Sequence, residues 1–296
     1  MLGKLLKHDF KSTARVLLPL QLALVAITIL GMVILGLTPF GHPGTLLLIT
    51  GTMVTYLIMV ITLCIITQIY LIVSFYRSLF THQGYLTFTL PATPWQLLHS
   101  KGITGFCWGL ANILLTYLSI LLLFASSVGF SDFGTAVRSL FTDSLTNTSV
   151  TVNGVTSQIS LSLLDLLGLS PLSALFFLAA LTLVGCFYSI ATGYASAAIG
   201  QLFAKHKVAA TVITYLIIYF VMQFFYGIVS VLTAIRPLIA IANAAPETLN
   251  SLEFTINTMS RVYHPLFLVL LISQLVVGVI LYLVSGFIMN KKINLD

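Results

Sequence analysis

The sequence predicts an all-α protein that crosses a membrane six times, and three observations carry that prediction. Of its 296 residues, 58% are hydrophobic and only 7% charged, against about 25% charged in soluble domains. The charged residues are confined to short stretches, which leaves 16–76, 102–131, 166–204, 208–235 and 262–290 without any Asp, Glu, Lys or Arg. A helix needs about 20 apolar residues to cross the hydrocarbon core, so each of these stretches suffices. The third observation is that the basic residues sort by membrane side once the spans are counted. That sorting also disposes of nucleic acid as the reason for the +6 net charge.

In chain order, the first element is an N-terminal amphipathic interfacial helix over 1–15. At 100° per residue, Lys4, Lys7, Lys11 and Arg15 fall within an arc of about 80°, with Leu2, Leu5, Leu6, Phe10, Val16 and Leu17 opposite. Such a helix lies in the membrane interface, its basic stripe on anionic headgroups or on a partner. Asp9 falls inside the apolar arc and calls for a basic neighbour. The apolar run from Val16 to Leu37 is too long for the core of a signal peptide and reads as a retained span.

The charge-free opening of 61 residues exceeds one helix, and Thr38-Pro39-Phe40-Gly41-His42-Pro43-Gly44 supplies the turn that divides it. Spans are then expected near 16–37, 45–75, 102–128, 172–203, 208–235 and 265–289. With the N-terminus in the cytosol, the inner segments hold all eight lysines plus Arg15 and Arg77, while Arg138, Arg236 and Arg261 lie outside. This positive-inside bias places both termini in the cytosol of a cell membrane. Two extracytoplasmic segments have internal patterning. In 129–171, Thr148 to Leu161 alternates around Asn153-Gly154, a hairpin signal. In 236–264, Pro246 and Glu247 open a helix running to about Ser260. No repeat or linker divides the chain, which reads as one membrane domain over 1–296. Cys64, Cys107 and Cys186 lie in apolar runs without metal spacing and read as core residues.

The search for chemistry excludes several classes. The only Gly-Lys pair, Gly3-Lys4, is followed by Leu5, so no phosphate-binding loop is present. The six spans carry no Asp, Glu, Lys or Arg, which disfavours an ion-coupled carrier. HExxH and GxSxG are missing too, so no catalytic residue, metal or cofactor is expected in this chain. A secondary carrier, a channel or a membrane scaffold remain as alternatives to a subunit driven from outside.

Three segments are informative. The only sizeable cytosolic loop, 77–101, is too apolar to be free: Leu79, Phe80, Tyr85, Leu86, Phe88 and Leu90 either fold back on the membrane or dock a partner. Within it, Thr93, Pro94 and Gln96 form a capping box that starts a helix leading into span three. In span five, Thr211, Tyr215, Tyr219, Gln223, Tyr226 and Ser230 fall within about 120°. This polar stripe is either interhelical packing or the wall of a translocation path shared with a second copy. In span four, Gly185, Ser189, Gly193 and Ala197 repeat every four residues, a face for close helix contact.

These residues, taken with the span count, resemble the permease subunits of type-2 ATP-binding-cassette exporters along the whole chain. In that family an interfacial helix precedes six spans, and the first cytosolic loop carries a coupling helix with a Gly, apolar residues, a Pro and a Lys at the next span. Gly84, Leu86, Leu90, Pro91 and Lys101 match, whereas His82-Gln83 stands where Glu and Arg are usual. The resemblance implies that Leu79, Phe80, Gln83, Gly84, Tyr85, Leu86, Phe88, Leu90 and Pro91 couple to an ATPase. It also implies a permease dimer, homo- or heteromeric, resting on two separate ATPase chains that hold ATP and Mg. The cargo it suggests is hydrophobic or amphipathic, with antimicrobial and other peptides among the candidates.

Overall fold

In a computed structural model, the described residues are 2–37, 43–81, 93–129, 132–135, 148–152, 155–159, 171–203, 206–243 and 252–291. Six long helices dominate: α1 (Leu2–Leu37), α2 (Pro43–Phe80), α3 (Pro94–Val128), α4 (Pro171–Gly200), α5 (Lys207–Ala242) and α6 (Leu252–Lys291). Each contains a segment long and apolar enough to cross a bilayer, so all six expected spans are present. Between α3 and α4 lies the one described hairpin, β1 (Thr148–Val152) and β2 (Val155–Ile159), antiparallel with Val152 opposite Val155. That register centres the connection on Asn153-Gly154, as the alternation predicts.

Four helices run longer than expected: α2 reaches Phe80, α5 reaches Ala242, and α1 and α6 each take in a neighbouring segment. The basic amphipathic stretch does not end before the first span: α1 is one helix of 36 residues. At 1.5 Å per residue it measures about 54 Å, well beyond a hydrocarbon core of about 30 Å. Its continuity follows from the sequence around the junction, where no glycine intervenes. Pro19, inside the helix, removes the bond to the carbonyl one turn earlier and crowds that carbonyl, without ending the helix. At the other end, the helix expected to close near Ser260 instead runs on through Pro265 as the 40-residue α6. Residues 246–251 of that expected helix lie outside the described residues.

The start of α3 is fixed locally. Thr93 Oγ1 accepts from the Gln96 backbone N–H at 3.3 Å, and Gln96 Oε1 accepts from the Thr93 N–H at 3.2 Å, with Pro94 at the first helical position. A cap of this kind contributes about 1 kcal/mol, and it sets where the chain re-enters the helix bundle after 82–92.

The chain forms two compact units. The first comprises 1–129, 182–219 and 275–296. In it, α1 packs on α3 near their C-terminal ends, where Ser126 Oγ donates to the Met32 carbonyl at 2.8 Å and Leu35, Tyr56 and Leu123 form a small core. The Tyr56 hydroxyl pairs with Ser119 there. The small-residue face of α4 brings helices close, as expected. A Cβ at Gly193 would stand 2.6 Å from Ile72, and one at Gly105 would stand 2.7 Å from the Tyr194 hydroxyl. The second unit comprises 130–181 and 220–274, with Phe177 and Phe267 in an edge-to-face pair at 5.9 Å.

Candidate functional site

The largest core lies in the first unit, where α2 ends and α3 begins. Phe75, Leu79, Leu97, Leu98, Ile190, Tyr194 and Met289 are buried together there, drawing on α2, α3, α4 and α6. Phe75 and Tyr194 stack face to face, their centroids 3.9 Å apart and their planes 9° apart. The Tyr194 hydroxyl, buried with its ring, donates to the Lys101 carbonyl at 3.0 Å. Trp95 packs directly on Gly286, where a Cβ would collide with the indole. His99 Nδ1 lies 2.7 Å from the Tyr282 hydroxyl, with the two rings stacked. Both helices bounding 82–92 are therefore seated in one apolar cluster.

A buried ion pair ties α1 to the same place. Asp9 is 7% exposed and accepts twice: from Lys101 Nζ at 2.7 Å and from Ser100 Oγ at 2.6 Å. This is the basic neighbour that its place in the apolar arc demanded. Lys4, Lys7, Lys11 and Arg15 are all exposed, so the basic stripe is free to meet headgroups.

The cluster corrects part of the expected coupling surface. Leu79 is 0% exposed and Phe80 is half-buried against Phe75 and Tyr76, because both belong to the last turn of α2 and complete its packed face. Leu79 is a core residue and is not available to a partner. Gln83, Gly84, Tyr85, Leu86, Phe88, Leu90 and Pro91 lie outside the described residues.

The polar stripe of α5 is divided in its surroundings. In the first unit, Thr211 is buried against Gly200 and donates to the Lys207 carbonyl at 3.1 Å, Tyr215 is half-buried, and Tyr219 is 52% exposed. In the second unit, Gln223 is exposed, Ser230 donates to the Gly227 carbonyl at 2.8 Å, and the buried Tyr226 hydroxyl has no partner among the described residues. Gln223 also borders an open concavity of about 970 Å³ walled by Phe220, Phe224 and Val231. The stripe thus includes the buried Thr211 as well as the exposed Tyr219 and Gln223.

Sequence reasoning missed Phe75, Tyr194, Tyr282 and His99. Tyr194 directly follows the close-packing Gly193, and that adjacency is the signal that could have marked it. Among the described residues no three His, Cys, Asp or Glu side chains gather as a metal site, and the three cysteines are free.

Six helices of spanning length define a multi-pass helical membrane protein. Comparison with known proteins narrows the class no further: no family model, no curated protein and no solved structure matches the chain.

Proposed function

We propose that this chain is the membrane-spanning permease subunit of an exporter powered by a separate ATP-hydrolysing chain, with 82–92 as the contact between them. The supporting observation is the seating of both ends of that segment. Force applied to 82–92 meets α2 at Phe75 and Leu79 and α3 at Trp95, Leu97 and Leu98, and those residues interlock with α4 and α6. A push at one segment therefore moves four helices as packed bodies, which is how an interface switches between two arrangements. Lys101 joins α1 to the same motion through Asp9.

In this reading the termini and 82–92 are cytosolic, the membrane is the cell membrane, and ATP and Mg belong to the partner. Tyr219 and Gln223, exposed in the single chain, face a second permease or the cargo between the two. Phenol and amide groups next to apolar walls suit a hydrophobic or amphipathic cargo, peptides included.

The test uses Leu86→Asp and Leu90→Asp, since a charge at Leu79 would disrupt the core instead. Each variant should insert and purify normally yet lose ATP-driven transport by about tenfold or more, the loss of a docking contact worth some 1.4 kcal/mol. Full transport by both variants would remove 82–92 from the mechanism. Uphill transport by the chain alone, without ATP, would identify a secondary carrier instead.

A further inference from the structure

Within the first unit, α2, α3 and α4 line a half-open cavity of about 290 Å³. Its walls include Cys64, Gln68, Asn112, Cys186, Ser189 and Ile190. Gln68 lies seven residues before Phe75, so the cavity sits about 10 Å along α2 from the aromatic stack, inside the span Ile49–Phe80. It adjoins the 82–92 anchorage, with which it shares Cys186 and Ile190, and includes no residue of the α5 stripe.

Two carboxamides distinguish this cavity from an apolar packing gap. Gln68 Nε2 donates to the Ser189 carbonyl at 3.0 Å, which fixes that side chain across the α2–α4 seam. Asn112, 7% exposed, sends Nδ2 to the Cys64 sulfur at 3.7 Å, a weak acceptor. With the nitrogens so engaged, the Gln68 and Asn112 side-chain oxygens accept no hydrogen bond from any described residue. An amide oxygen left unsatisfied in a membrane interior is costly, so a site lined by two of them selects a donor. No lining residue is charged, and apart from Thr67 and Ser189 the remaining wall is aliphatic, glycine and thiol.

We infer that this cavity is a binding site for a small neutral amphiphile: a short apolar body carrying a hydroxyl or amide N–H that donates to Gln68 and Asn112. The volume lies at the lower end of small-molecule sites, which limits the occupant to a few carbons or to the tip of a larger cargo. A carboxylate or an ammonium ion would enter without a counter-charge and is excluded. The inference rests on the cavity alone and holds whether or not 82–92 docks an ATPase.

The experiment is ligand-observed saturation-transfer NMR on the full chain in lipid nanodiscs, with empty nanodiscs as reference. Three probes of one carbon skeleton are compared: butyramide, N,N-dimethylbutyramide, which lacks the donor, and sodium butyrate. Butyramide should give a signal above empty discs that falls about threefold or more in Asn112→Leu and Gln68→Leu, while the other two probes stay at the reference. Ile113→Phe, which narrows the cavity and leaves the hydrogen bonds of both amides in place, should abolish the signal and decides the matter if the leucine variants fail to fold. Equal signals from butyramide and its dimethyl analogue would reveal an apolar gap open to lipid. No butyramide signal would mean that the cavity holds water only. Either result overturns the assignment.

Discussion

The Asp9–Lys101 pair offers the sharpest test of the packing at the basic end. Asp9 accepts two charge-assisted bonds, from Lys101 at 2.7 Å and Ser100 at 2.6 Å, in a site where it is nearly buried. In Asp9→Asn the side chain retains one acceptor oxygen but leaves the Lys101 charge without a counter-ion. Breaking a buried pair by removing one partner costs about 3–5 kcal/mol. The lysine head keeps 18% exposure and can extend toward water on its flexible stem, which lowers the expected loss to about 2–4 kcal/mol. Lys101→Met should cost a similar amount, because it leaves Asp9 buried alone. The double variant Asp9→Asn/Lys101→Met should recover most of the loss, with a coupling energy of at least about 1.5 kcal/mol. Reversible unfolding in mixed micelles measures all four states of the cycle. Single losses that add to within about 0.5 kcal/mol would refute the reasoning, since they would mean that the two groups do not depend on each other.

Three further outcomes follow from the same core. Phe75→Ala removes one side of the 3.9 Å stack with Tyr194 and should cost about 3–5 kcal/mol, read in the same unfolding assay. Gly193→Leu forces atoms into Ile72, which already stands 2.6 Å from the position of a Cβ. It should destabilise by about 1–3 kcal/mol and broaden the NMR signals of an isotope-labelled Ile72 methyl. Thr93→Ala deletes the cap of α3 and should cost about 1 kcal/mol, with faster amide exchange confined to residues 95–97.

The six spans were legible because a bilayer demands long charge-free runs and the sequence supplies them without ambiguity. The hairpin was legible because alternation around Asn153-Gly154 leaves one sensible register. Helix ends were harder to read. Pro19 and Pro265 both lie inside continuous helices, since a proline in a long helix forfeits one bond without forcing a stop. The basic stripe of α1 was correctly placed on one face, but whether that face turns into the membrane plane or continues the span is not a property of periodicity. Asp9 announced its need for a partner through its position on the wheel. Lys101 answers from 92 residues away, a pairing that only the packing of α1 on α3 creates. Leu79 falls in the cytosolic loop 77–101 and, by the resemblance, on the coupling surface, yet helical spacing from Phe75 puts it on the buried face. Tyr194, Gln68 and Asn112 were hidden among apolar neighbours, and their roles depend on which helices meet.

The central claim is that motion enters this chain through 82–92 from a separate ATPase. The most direct measurement is ATP hydrolysis by the complex captured on this chain from its native membrane, comparing the unmodified protein with Leu86→Asp at equal amounts of folded permease. The account predicts hydrolysis in the first capture and loss of most of it in the second. Equal hydrolysis in both, or none in the first, would contradict it.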